Sequence, residues 1–157
     1  MTYPKYSVLM SVYHKEKPDY LKRSITSMLE QTVPTDDFVL VCDGPLTPLL
    51  DDVILSFQGK YRNILHVIRL KENMGLGHAL QIGLRACKNK LVARMDSDDI
   101  SRGYRCEKEL EVFLNHPEIS IVGSTIEEFS VTTDLVDSLR VVPQNNREIV
   151  SFSKRRN

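Results

Sequence analysis

Short β-type apolar runs alternate along this chain with segments of helical periodicity, and that rhythm narrows the possible folds more than any other feature. Tyr6 to Val12 (YSVLMSV) reads as a strand, and Pro18-Asp19 then open a segment with Leu21, Ile25, Met28 and Leu29 on one helical face. Phe38 to Cys42 (FVLVC) repeats the strand signal, after which Thr47-Pro48, an N-cap and N1 pair, lead into Leu50, Val53, Ile54 and Phe57. Ile64 to Leu70 is a third strand, Gly77 to Cys87 a third helix and Leu91 to Met95 a fourth strand. Ser101 to His116 sets Leu110, Phe113 and Leu114 on a further helical face, and Ile119 to Gly123 (ISIVG) predicts a fifth strand.

Strands joined through helices by short loops imply right-handed βαβ crossovers. The predicted architecture is therefore α/β and Rossmann-like, a mostly parallel central sheet with helices on both faces. The length of 157 residues suits one ordinary domain of roughly 100 to 200 residues. Past Gly123 the rhythm breaks into β-type stretches at Thr125 to Val131 and Leu135 to Val142, a short helix around Glu148 to Phe152, and a basic end, Lys154-Arg155-Arg156. The chain thus divides into a core at 1–124 and a different region at 125–157.

Composition removes several functions. Lys and Arg total 21 and so do Asp and Glu, so the long-range attraction to polyanions that nucleic-acid binders use is missing, and no nucleic-acid partner is expected. No apolar run approaches the ~20 residues of a bilayer span, and Met1 to Met10 does not have the layout of an export signal. Cys42, Cys87 and Cys106 are odd in number and widely spaced, which suits reduced cysteines in a cytoplasmic protein better than a disulfide or zinc site. The basic end reads as solvated surface.

In open α/β sheets ligands bind beyond the carboxyl ends of the strands. Those positions carry Tyr13-His14-Lys15-Glu16, Asp43-Gly44-Pro45, Lys71-Glu72-Asn73-Met74-Gly75 and Asp96-Ser97-Asp98-Asp99. Asp96 and Asp98 share a face if the strand stays extended, and two such carboxylates suit Mg²⁺ or Mn²⁺ with positions left open for phosphate oxygens. The alternative is that Asp98, Asp99 or Ser101 caps the next helix. An EF-hand is excluded because its sixth position would be Ser101 in place of glycine. The dinucleotide fingerprint fails where Gly75-Leu76-Gly77 is followed by Leu80, and no Gly-Lys-Ser/Thr of a P-loop occurs. Asp43 before Gly-Pro suits either a ligand NH or a turn, and Asn73 and Gly75 suit a tight turn meeting a ligand. The histidines lack ligand spacing, and Ser11 and Ser97 lack a triad partner pattern.

Taken in order, SVYHKE, VCDGPLT, ENMGLGHALQIGL, ARMDSDDIS and EKELEVFLNHPEISIVGS closely resemble glycosyltransferase family 2, with its GT-A nucleotide-diphosphosugar fold. The resemblance runs from Tyr6 to Ser124. It implies that Ser11, Val12 and Tyr13 line the nucleobase and ribose with Glu16 nearby, and that Asp43 contacts the base, usually uracil. It implies further that Asn73 and Gly75 flank the nucleotide, that Asp96 binds the ribose, that Asp96 and Asp98 hold the metal on the diphosphate, and that Asp99 adjoins the sugar. The sequence departs from the family at Cys42-Asp43-Gly44-Pro45, where Asp-Asp-Gly-Ser is common, and at Ser97, where Ala is frequent.

The activity implied is an inverting transfer of a sugar from a nucleotide-diphosphate donor, UDP-linked by preference, to a hydroxyl of a saccharide or lipid-linked saccharide. The setting implied is bacterial surface polysaccharide synthesis, with the full-length protein peripheral at the inner face of the membrane. Of the later acids, Glu127, Glu128, Asp134, Asp137 and Glu148, none sits in a segment like the family's base motif, so the general base is expected beyond Asn157 and this chain is expected to be a donor half, inactive alone. A sugar-1-phosphate nucleotidyltransferase would need a Gly-rich basic loop at Tyr13 to Pro18. A non-catalytic nucleotide-binding module is the other alternative.

Overall fold

A computed structural model describes residues 2–129 and 136–154, in two compact units, Met1–Asn115 and His116–Asn157. In the first unit the order is β1 (Tyr6–Val12), α1 (Pro18–Leu29), β2 (Phe38–Cys42), α2 (Pro48–Lys60), β3 (Leu65–Arg69), α3 (Leu76–Ala86), β4 (Leu91–Asp96) and α4 (Arg105–Asn115). The strands form one parallel sheet in the order β3-β2-β1-β4. The chain winds outward from β1 through β2 to β3, then crosses back to lay β4 on the other side of β1. The topological switch point therefore lies between β1 and β4, where successive loops leave in opposite directions and a crevice opens.

Strand alternation sends side chains to two helical layers. Val8, Met10 and Val12 of β1, Phe38 and Leu40 of β2 and Met95 of β4 pack with Leu21, Ile25 and Met28 of α1, Leu50 and Ile54 of α2, and Leu110 of α4. Leu9, Val39 and Val41 turn the other way and meet Ala79 of α3. Helices thus cover both faces, and each fully buried aliphatic side chain contributes roughly 1.5–3 kcal/mol. Gly83 lets α3 lie close to the sheet, since a Cβ there would come within 2.8 Å of Val41 Cγ2. As the sequence predicts, Thr47 caps α2, its Oγ1 accepting the Leu50 N–H at 3.4 Å, with Pro48 at N1.

Two expectations need correction. The fifth strand does not form: residues 119–125 take no strand conformation, and Ile121 is 87% exposed. A short apolar run has strand composition whether or not a neighbour is present, but a strand exists only where another ladder takes its N–H and C=O groups. The fourth helix begins at Arg105 rather than Ser101, because the intervening backbone is hydrogen-bonded elsewhere.

In the second unit β5 (Ile126–Phe129) pairs antiparallel with β6 (Val136–Arg140), and α5 (Asn146–Ser153) follows, capped by Asn145 Oδ1 on the Glu148 N–H at 3.0 Å. These match the two β-type stretches and short helix expected after Thr125. Parts of that reading, 130–135 with Asp134 and the basic residues Arg155 and Arg156, lie outside the described residues. Among the described residues no helix is long and apolar enough to cross a membrane. The cysteines are unpaired, with Cys42 and Cys106 buried.

Candidate functional site

The parallel register brings the carboxyl ends of the strands to one rim. Val12 lies beside Cys42, Cys42 beside Arg69, and Ser11 beside Asp96. The residues singled out after each strand therefore do share one edge of the sheet, although they use it in different ways.

Asp43 is buried, and its two carboxylate oxygens accept the N–H groups of Met74 at 2.8 Å and Gly75 at 2.9 Å. Its own N–H donates to the Val12 carbonyl at 2.8 Å. One carboxylate thus clamps the loop after β3 to the ends of β1 and β2. Gly44 and Gly75 make this possible with φ of +87° and +88°. Beside Gly44, moreover, a Cβ would stand 2.7 Å from the Asn73 backbone nitrogen. Each Asp43 oxygen keeps a lone pair for a ligand N–H. Asn73 itself is exposed.

After β1, Val12 is buried in the core beside Met10 and brings no side chain to the rim. Ser11 is half-buried, and Tyr13 is exposed with its ring edge-on to His14. Glu16 is committed at both oxygens: Oε1 accepts the Lys17 N–H at 2.8 Å and Oε2 accepts the Ser97 hydroxyl. That second bond spans the switch point, linking the loop after β1 to the acidic loop after β4.

The acidic loop differs from the simple strand picture. Extended geometry ends at Asp96, and Ser97-Asp98 turn, with the Asp99 N–H on the Asp96 carbonyl at 3.4 Å. Ser97 points inward and is buried, while Asp98 and Asp99 are exposed. The carboxylates still interact: desolvation first, then Asp98 and Asp96, push Asp99 above its usual range. Arg94, two residues back on the same strand face, forms an ion pair with Asp96 Oδ1. The capping alternative does not describe this loop, because the Cys106 N–H in the first turn of α4 goes to Gln31 Oε1 at 3.0 Å.

Among the described residues no three His, Cys, Asp or Glu side chains converge as a closed metal cage. Two exposed-side carboxylates at a strand end instead suit Mg²⁺ or Mn²⁺, which are held by one or two carboxylates with water and substrate phosphates completing the shell.

The rim order, with an acid clamp at Asp43 and an acidic turn at the switch point, is accompanied by a match over residues 7–157 to the family described as Glycosyl transferase family 2. The chain belongs to this glycosyltransferase family. It is similar to the UDP-Gal:alpha-D-GlcNAc-diphosphoundecaprenol beta-1,3-galactosyltransferase of Escherichia coli, 39% identical over 98% of this chain and 54% of the relative. It is also similar to the amylovoran biosynthesis glycosyltransferase AmsE of Erwinia amylovora, 37% identical over 97% of this chain and 56% of the relative. The chain spans just over half the length of these relatives. Among solved structures, S. aureus TarS 1-349 in complex with UDP superposes with a TM-score of 0.65 at 24% identity, over 89% of this chain and 38% of that one. The mannosyltransferase PcManGT of Pyrobaculum calidifontis, in complex with GDP-Man and Mn²⁺, gives 0.56 at 20% identity, over 63% and 29%. These likenesses show the GT-A fold.

Sequence reasoning missed the residues of this family member that hold the acidic loop from below. Ser24 Oγ donates to the Asp96 carbonyl at 2.7 Å, Ser27 Oγ accepts the Ser101 N–H at 3.1 Å, and Gln31 Nε2 reaches the Arg102 carbonyl at 2.9 Å. The available signal was a serine on the buried stripe of α1, between Leu21 and Met28, where an apolar residue is the ordinary choice.

Proposed function

We propose that this chain is the donor-binding side of an inverting glycosyltransferase that takes a sugar from a nucleotide-diphosphate donor, UDP-linked by preference, in bacterial surface polysaccharide synthesis. The observation that carries this reading is the placement of Asp96, Asp98 and Asp99 at the β1/β4 switch point, on the same rim as Asp43 and the 73–75 turn. Family membership supports transferase chemistry, and the E. coli and E. amylovora relatives support the polysaccharide setting. UDP in the TarS complex and Mn²⁺ in the PcManGT complex support the donor and the cation.

Donor binding places the base and ribose along Ser11, the backbone of Val12 and Tyr13, with a base N–H offered to Asp43, Asn73 and Gly75 flanking, Glu16 bracing from its bond to Ser97, and Asp96 reaching the ribose. Asp96 and Asp98 would hold Mn²⁺ or Mg²⁺, which supplies Lewis-acid stabilisation of the departing diphosphate. Asp99 faces the sugar. An acceptor hydroxyl, on a saccharide or lipid-linked saccharide, displaces the diphosphate at the anomeric carbon, and its proton goes to a base. Glu128 already pairs with Arg140 and Ser138 across β5 and β6, and we place the base beyond Asn157. The donor side is proposed to run over 1–124 and the acceptor side to start at 125, with activity requiring both and the whole protein peripheral to the inner face of the membrane.

Thermal shifts with UDP, GDP and CMP, each with Mn²⁺ or EDTA, test this. UDP with Mn²⁺ should raise the melting temperature, since a ligand that binds only the folded form stabilises it. No nucleotide response in the wild type, or an Asp98→Ala variant that responds as the wild type does, would remove the metal-diphosphate assignment.

A further inference from the structure

The acidic loop does not stand on its own contacts. Ser24, Ser27 and Gln31 recur along one side of α1 and just past its end, at the three- and four-residue steps that align side chains on a helix. Ser24, Gln31 and Ser101 are all buried. Ser24 holds the carbonyl of Asp96 at 2.7 Å, and Ser27 takes the Ser101 N–H at 3.1 Å. Gln31 Nε2 lies 3.1 Å from Ser101 Oγ and 2.9 Å from the Arg102 carbonyl, while its Oε1 caps α4 at Cys106. The Thr32 N–H adds a bond to the Gly103 carbonyl at 2.8 Å. The backbone on both sides of Asp98 and Asp99 is therefore anchored to one element, and that element is otherwise rigidly packed through Leu21, Ile25 and Met28.

We propose that the polar stripe Ser24–Ser27–Gln31 positions the acid-bearing loop, so that affinity for a divalent cation and nucleoside diphosphate is set through α1 as well as through the carboxylates. These are positioning residues, since each bonds the backbone of the loop and Ser24 and Gln31 are buried beneath it. The inference rests on the donor-site reading above. Its physical basis is that a carboxylate pair binds a small cation tightly only when its backbone is held within a fraction of an ångström of the required geometry.

The test compares Ser24→Ala with a control of similar burial at the opposite end of the sheet, Thr35→Ala, whose hydroxyl bonds the carbonyls of Tyr6 and Asp37. Calorimetric titration with Mn²⁺ and UDP, at a temperature where each variant is fully folded, should show Ser24→Ala roughly three- to tenfold weaker and Thr35→Ala unchanged, the range expected for one hydrogen bond. Amide exchange should accelerate several-fold across Ser97 to Arg102 in Ser24→Ala only. If the wild type binds and Ser24→Ala matches it in both affinity and exchange, the positioning role is overturned while the donor site stands. Equal weakening by Thr35→Ala would reduce the effect to general destabilisation and overturn it too. If the wild type binds neither Mn²⁺ nor UDP, both readings fall.

Discussion

Ser24 Oγ donates to the main-chain carbonyl of Asp96 at 2.7 Å, joining two residues 72 positions apart. It fixes the last residue of β4 to the middle of α1 at the point where the sheet reverses its winding. Buried, hydrogen-bonded hydroxyls of this kind specify geometry, because any displacement leaves a desolvated carbonyl without a donor.

Arg94 neutralises Asp96 in the absence of another cation. Both side chains are well exposed, so the interaction is worth roughly 1 kcal/mol or less. Arg94→Met should therefore tighten Mn²⁺ about two- to fivefold in titrations without nucleotide, and Arg94→Lys should stay near the wild type. Unchanged or weaker Mn²⁺ binding in Arg94→Met would show that the guanidinium does not compete with the metal.

Replacing Gly44 by Ala combines an unfavourable φ of +87° with a Cβ 2.7 Å from the Asn73 nitrogen. The left-handed conformation alone costs roughly 1–2 kcal/mol. Urea denaturation should show at least that loss, and the UDP-dependent thermal shift should shrink because the 73–75 loop is displaced. A variant as stable as the wild type would mean that this turn relaxes freely.

Asp43→Asn keeps the shape of the side chain but turns an amide N–H₂ toward either the Met74 or the Gly75 N–H, both of which now donate to the carboxylate. One backbone donor loses its acceptor, at a cost of about 1–3 kcal/mol. Amide exchange at Met74 and Gly75 should rise in step with the loss of stability. Preserved protection there would indicate that solvent or another group replaces the clamp.

At the far edge of the sheet, the Lys5 ammonium and the Asn89 amide hold Asp36 down to about 2, from an ordinary 3.8. A carboxylate with a depressed folded-state value adds stability that is complete above pH 4 and is lost as pH falls toward 2. Asp36→Asn should flatten the acid limb of the melting temperature between pH 4 and 2 and leave its shape above pH 5 alone. Since Asp36 is partly exposed, the effect is modest, and identical acid limbs would assign the titration to other carboxylates.

Local pattern was enough to read the βαβ order, the parallel sheet, the cap at Thr47 and the polar residues at the strand ends, because each depends on neighbours a few positions away. The rim residues Asp43, Asp96, Asp98 and Asp99 were legible for the same reason, being acids where an apolar strand stops. Ile119 to Gly123 shows the limit: its composition suits a strand, yet pairing depends on a partner that local sequence does not reveal.

The sequence by itself determined the fold class, the family and which polar residues follow the carboxyl ends of the strands. Tertiary structure alone decided what those side chains are bonded to: Asp43 as a clamp on Met74 and Gly75, Glu16 as a brace on Ser97, and α1 as the support of the acidic loop. The reason is physical. Hydrophobic periodicity is written residue by residue, whereas a buried hydrogen bond needs a donor and an acceptor brought together from distant segments, and only the packed sheet and helix fix that meeting.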